Sequence, residues 1–304
     1  MQFNKESGYG KYLPLQLPMR VAGKVFVVGK SALAHRSMFT ELFTADANGR
    51  LRFSSTIASA IALCTANAGD VIYVLPGHTE TLTASIDVNI AGVSIIGLGS
   101  GMLRPTITGN GTIDAITVTA ANVTIENLIF PAPETDDQTA DINVAAAGCT
   151  IRDTYHIGSQ TAKNKTDIIT VTVAGDDLLV EGVRAYNTVV DCVSWLSLEG
   201  ACARPVIRDC VVMGQFSTAA LMSEATATLC TIQRNIFKNT KAATAVVTFT
   251  TGNPTGVCSF NHISGRHTTI ASNFVAGTGM DIFENRVVEE AALNGMIMPA
   301  ADAE

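Results

Sequence analysis

Charge is the first thing this chain is short of. Only 15% of its 304 residues are Asp, Glu, Lys or Arg, aromatic residues make up 6%, and Trp195 is the single tryptophan. Positive charge is scarcest, with 20 Lys and Arg against 27 Asp and Glu for a net charge of −7. The densest basic stretch is Lys163 and Lys165. Phosphate recognition needs a positive footprint, so nucleic acid is excluded as a partner. Seven cysteines, at 64, 149, 192, 202, 210, 230 and 258, include no CxxC pair and no Cys/His metal spacing, so neither a metal nor another cofactor is expected. An odd number of thiols suits a reducing cytoplasm. No run of about 18 apolar residues occurs, which removes a helical membrane span. Residues 1–18 carry Asn4, Lys5, Glu6 and two prolines and do not read as a secretory signal. The expectation is a protein that stays where it is made or leaves by lysis.

What the chain does have is a repeat. Eight segments share one four-position pattern: Val93-Ser94-Ile95-Ile96, Val123-Thr124-Ile125-Glu126, Cys149-Thr150-Ile151-Arg152, Leu178-Leu179-Val180-Glu181, Pro205-Val206-Ile207-Arg208, Cys230-Thr231-Ile232-Gln233, Cys258-Ser259-Phe260-Asn261 and Met280-Asp281-Ile282-Phe283. Their third positions are 30, 26, 29, 27, 25, 28 and 22 residues apart. Apolar residues at positions one and three, with mostly polar ones between, give a period of two, which is a strand with one face inward. A strand this short cannot bury its inner face alone, so the units must stack as a solenoid.

Stacking makes columns. The third position is aliphatic in seven of the eight units, which suits a dry interior. The fourth runs Glu126, Arg152, Glu181, Arg208 through its middle, an alternation that a stacked outer face favours because like charges directly opposite destabilise. Cys149, Cys230 and Cys258 occupy inward first positions and read as small core hydrophobes. The spacing fits three short strands per coil and resembles the right-handed parallel β-helix of pectate-lyase-like proteins and phage tailspikes. The expected fold is therefore all-β, a right-handed parallel β-helix with an N-terminal capping helix and an extended N-terminal arm.

Residues 1–22 form that arm, with Tyr9, Tyr12, Leu13, Leu15, Leu17 and Met19 set among prolines that forbid a helix interior or central strand. These six side chains are the candidate inter-subunit contacts, docking either on their own solenoid or on a neighbouring chain. Residues 23–68 hold a strand at Lys24–Val28, a helical turn near Ser37–Leu42 and a capping helix begun by Ser54 or Ser55, with Ile57, Ile61 and Cys64 on one face. The solenoid spans 69–288, opening on Gly69-Asp70-Val71-Ile72-Tyr73-Val74-Leu75-Pro76-Gly77-His78. Two polar loops interrupt it, at 131–138 and from Tyr155 to Thr166, and 289–304 form a C-terminal cover and tail.

The runs GKVFVVG, FSSTIASAIALCTANAGDVIYVLPGHTETL and AGVSIIGLGSGMLRPTI, between residues 23 and 107, resemble a family of β-helix proteins found largely in tailed-phage genomes, often near capsid genes. The GDxIYVxPGH portion is shared by many pectate-lyase-like β-helices; the longer run is more specific. The resemblance implies a virion-associated protein, most plausibly decorating the head, and by analogy with phage β-helices a homotrimer. The chain departs from typical tailspikes in having no long N-terminal head-binding domain and no separate C-terminal trimerisation domain.

β-helix enzymes that cut polysaccharides need acids in register on adjacent coils, two carboxylates for hydrolysis or a cation-holding set with a basic residue for lysis. The candidates are Asp136-Asp137, Asp176-Asp177, Asp141, Asp153 and Asp209. Asp176-Asp177 reads as a turn and Asp136-Asp137 as a solvated loop tip. Asp153 and Asp209 fall two coils apart, roughly 9 to 10 Å, at the far edge of inverting geometry. His156, His262, His267 and Arg266 read as turn or surface residues and His78 as structural. No catalytic residue is assigned. The expected function is a non-enzymatic virion protein cementing or decorating the capsid, with the major capsid protein or other virion proteins as partners and the virion as its location. The alternatives are a tail fibre or tailspike that binds or cleaves host surface polysaccharide, and a pectate-lyase-like polysaccharide lyase.

Overall fold

The computed structural model describes residues 23–30, 52–133, 136–159, 163–172, 174–189, 192–249, 253–267, 269–275, 277–289 and 294–298. The arm residues Tyr9, Tyr12, Leu13, Leu15, Leu17 and Met19, and the helical turn expected near Ser37–Leu42, lie outside them.

The chain is an all-β parallel solenoid of about nine turns. Three sheets run along it: sheet A with 11 strands, sheet B with 10 and sheet C with 8. Every pairing in the three sheets is parallel except the last, where Asn285–Glu289 meets Asn294–Met298 antiparallel. On sheet A the residues Ile72, Ile95, Ile125, Ile151, Val180, Ile207, Ile232, Cys258 and Ile282 lie directly over one another. All but Ile282 are fully buried. Each such aliphatic side chain stabilises the stack by about 1.5 to 3 kcal/mol relative to exposure, which is what a strand of three or four residues lacks by itself.

One repeat unit is displaced from its expected register. Cys258, not Phe260, takes the inward third position, pairing with Ile232 on one side and Ile282 on the other. Phe260 sits two residues further on, at the turn, with a φ of 58° and 54% exposure. The same turn recurs after every sheet A strand from Thr124–Glu126 onward, at Asn127, Asp153, Gly182, Asp209, Arg234, Phe260 and Glu284, all with positive φ. Left-handed backbone favours Gly, Asn and Asp, and here it holds bulkier residues where the stack requires the same bend. Asn261, expected on the outer face, instead lies inside a buried ladder. Its amide donates to Asn285 at 2.8 Å and its Oδ1 accepts from Asn235 at 2.9 Å.

The outer face of sheet A has the predicted charge ladder. Glu181 accepts from Arg152 at 3.1 Å on one side and from Arg208 at 2.8 Å on the other. At the N-terminal end, the helix Ile57–Ile61 buries Ile57, Ala60 and Ile61 against the first coils. Its N-cap is Thr56, not Ser54 or Ser55; the Thr56 hydroxyl accepts from Ser59 N at 3.2 Å.

Candidate functional site

Acidic groups are the place to look first for sugar chemistry, and most of them already have partners. Asp209 is gripped through both oxygens by Arg234, at 2.8 Å each, which holds its carboxyl below the usual range. Asp177 is held the same way by Arg204, and Asp176 accepts from Ala203 N at 2.7 Å, so this pair is a turn device as expected. Asp137 accepts from Asn164 N at 2.9 Å. Asp153 is exposed and stands two coils from Asp209, with Gly182 between them. The two acids keep the expected two-coil separation, and Asp209 is committed to Arg234. Among the described residues no group of three or more His, Cys, Asp or Glu has metal-holding geometry.

One titratable cluster lies where none was expected. His156 is not a turn or surface residue: it sits in the strand Tyr155–Ile157, which was expected to open a polar loop, and it is fully buried together with Lys165 and Asp141. Lys165 Nζ donates to Asp141 at 2.7 Å, to Pro131 O at 2.8 Å and to Ile157 O at 2.7 Å, so each ammonium proton has an acceptor. His156 Nδ1 meets the other Asp141 oxygen at 2.9 Å, its Nε2 meets Thr154, and its ring stacks on Phe130 with centroids 4.9 Å apart. Burial pushes both the His156 and Lys165 pKa down, opposed by Asp141. Closed to solvent and fully satisfied, the trio ties Pro131 and Ile157 to the strand Ala140–Val144 that carries Asp141. The signal available in sequence was an Asp, a His and a Lys flanking two long insertions, which spacing alone cannot pair.

All seven cysteines are free, and all but Cys64 are buried. Burial pushes the thiols of Cys210, Cys230 and Cys258 up to about 12, which keeps them protonated and unreactive. His78, which ends the Gly69–His78 segment, is also buried. Its Nε2 lies 2.8 Å from Glu80, whose carboxylate accepts from Ile57 N at 2.8 Å and so ties the turn to the helix start.

The outer face of sheet B is different. Its outward positions over five successive coils carry Tyr155 and Ile157, Arg184 and Tyr186, Val211 and Met213, Ile236 and Lys238, then His262 and Ser264. Tyr186 is 50% exposed, and Met213 and Ile236 are more than a third exposed. Tyr155 is partly covered by Arg104, whose guanidinium lies 5.7 Å from the ring centroid. Beside this strip is a cleft of about 340 Å³ lined by Tyr186, Asn187, Met213, Gln215, Lys238 and Thr240, among others.

The cleft floor follows from one column of sheet B in which Gly and Asn alternate: Gly158, Asn187, Gly214, Asn239, Gly265. Asn187 Oδ1 accepts from Ser159 N, and its Nδ2 donates to Val189 O and Gln215 O. A Cβ at Gly158 would lie 2.3 Å from Asn187 Oδ1, and one at Gly214 would lie 2.1 Å from Asn187 O. The asparagine amides fix the turn and the glycines make room for them, leaving a recess next to Tyr186 and Met213.

No family model and no curated protein matches the sequence. Two solved structures share the architecture. A rhamnogalacturonan lyase is 11% identical over 86% of this chain and 87% of that one, with a TM-score of 0.34. An endo-xylogalacturonan hydrolase from Aspergillus tubingensis is 12% identical over 80% of this chain and 92% of that one, with a TM-score of 0.38. Both are enzymes and neither is a capsid protein. The expectation drawn from sequence that the chain is not an enzyme is overturned by this finding and is withdrawn. The parallel β-solenoid itself rests on the strand pairings of the three sheets.

Proposed function

We propose that the chain engages a polysaccharide laid along the outer face of sheet B. The observation that carries this reading is the exposed strip of Tyr186, Met213 and Ile236 on consecutive coils, beside a polar-rimmed cleft. Aromatic and apolar side chains give a sugar ring a surface to lie on, and Gln215, Lys238 and Thr240 supply polar groups at its rim. A rigid parallel sheet repeats this surface every ~4.8 Å, which suits an extended, repeating ligand better than a compact one. Aromatic residues make up only 6% of the chain, yet Tyr155 and Tyr186 share this one face.

The resemblance of the runs between residues 23 and 107 to phage β-helix proteins supports placing this surface on a virion, as part of a tail fibre or spike, with the host's surface polysaccharide as partner. Affinity electrophoresis through gels containing host polysaccharide tests the binding, with reducing ends and unsaturated products measured in the same incubations. Retardation of the wild-type chain and about tenfold weaker retardation of Tyr186→Ala are expected. Equal mobility of both proteins in all gels would remove the reading. Peptide mass spectrometry of purified virions tests the location, and absence of the chain from them would reject it.

A further inference from the structure

The three sheets divide the chain's charge unequally. Sheet A strands balance Glu126 and Glu181 against Arg152 and Arg208 in one ladder. Sheet C strands carry Asp87, Asp114, Asp141 and Asp167 and no Lys or Arg. Sheet B strands carry Arg184, Lys238, Lys241, Arg266 and Arg286, and their two acids are sequestered, Glu80 against His78 and Glu289 in the interior. A chain of net charge −7 thus turns one cationic face outward.

Pairing sharpens the contrast. Arg152, Arg204, Arg208 and Arg234 each have a carboxylate partner at 3.1 Å or less. Arg184 and Arg286 are exposed and, among the described residues, no carboxylate pairs with either. They occupy the same column of sheet B, which runs Arg184, Val211, Ile236, His262, Arg286. Four coils at ~4.8 Å put them roughly 19 Å apart, on either side of the Met213 and Ile236 strip. Solvation alone does not require arginines at those positions, since Thr serves the same column near its start, at Thr79 and Thr106.

We propose that the polysaccharide taken by sheet B is anionic, its carboxylate or sulfate groups met by Arg184 and Arg286 at the two ends of the apolar strip. This rests on the sheet B reading given above. Each guanidinium presents a planar fork of donors that matches an oxyanion in two-pronged fashion. Because the two arginines are far apart, only a chain long enough to span the strip engages both. Short oligosaccharides gain from one arginine at a time.

The test is binding by calorimetry to a uronic-acid polymer, to the same polymer after chemical reduction of its carboxyls, and to single-stranded DNA of equal charge. The wild type, Arg184→Gln, Arg286→Gln, the double variant and Tyr186→Ala are compared. The acidic polymer is expected to bind at least about tenfold tighter than its reduced form. The double variant should lose most of that difference while its thermal unfolding stays unchanged, and added salt should weaken wild-type binding more than variant binding. Equal binding of acidic and reduced polymer, both weakened by Tyr186→Ala, would overturn the anionic assignment and leave the sheet B reading standing. Binding insensitive to Tyr186→Ala and to both arginine changes would overturn both. DNA bound as tightly as the acidic polymer would show a surface that reads charge alone, and would also overturn the assignment.

Discussion

Sheets A and B are cut from the same coils, yet they treat their outward positions in opposite ways. On sheet A, charged residues stand over partners of opposite sign, Glu181 between Arg152 and Arg208, and neutralise one another. On sheet B, Arg184 and Arg286 are left open and Tyr186, Met213 and Ile236 are left exposed beside a cleft. The difference separates a face whose requirements are met within the chain from one whose requirements are met only by something else. Stability accounts for the first. Binding accounts for the second.

The interior is common to both faces, so the largest effect should come from breaking it. Asp141→Ala leaves the Lys165 ammonium buried without its counter-charge and should destabilise the fold by about 3 to 5 kcal/mol, read as a lower urea midpoint. Lys165→Met with Asp141→Leu should recover much of that loss, since replacing a buried pair by apolar residues of similar volume is often neutral.

The acidic sheet C gives the next effect. Burial pushes the Asp167 carboxyl up to about 6, opposed by the Ser194 hydroxyl 2.6 Å away. A folded pKa above the unfolded one means the stabilising form is the protonated one. Its contribution is complete below about pH 4 and is lost as pH rises through about 6. Asp167→Asn should therefore stabilise the fold at pH 8 by on the order of 2 to 3 kcal/mol, read as a higher melting temperature, and leave the melting temperature nearly unchanged at pH 3.5. Equal shifts at both pH values would refute the assignment.

The smallest effect separates sheets A and B directly. Glu181→Gln removes the centre of a half-exposed ladder and should cost up to about 1 kcal/mol, whereas Arg184→Gln should change stability by less than about 0.5 kcal/mol. A larger loss from Arg184→Gln would mean that sheet B's arginine has a structural partner after all.

The stacking was legible in the sequence because a period of two, repeated about every 27 residues, leaves few alternatives, and the Glu/Arg alternation fixed the vertical order of the middle coils. The seventh unit misled because Cys258 and Phe260 are both apolar and two apart. Phase could be recovered only from the asparagine ladder, where Asn235, Asn261 and Asn285 each follow a left-handed residue. Asp141, His156 and Lys165 come from three separate segments of the chain, and no local pattern pairs them. The sheet B face was hidden for a different reason. Arg184, Tyr186, Met213 and Ile236 belong to the second strand of each coil, whose phase relative to the first depends on turn lengths that vary from coil to coil.

Hydroxyl-radical footprinting with and without the acidic polysaccharide tests the central claim most directly, because oxidisable side chains stand on the proposed face and away from it. Met213 and Tyr186 should be protected on saccharide addition, while Met102, 80% exposed, and the edge-to-face pair Phe260 and Phe283 should oxidise at unchanged rates. Protection of Phe260 and Phe283 with no change at Tyr186 and Met213 would place the ligand elsewhere and contradict the account.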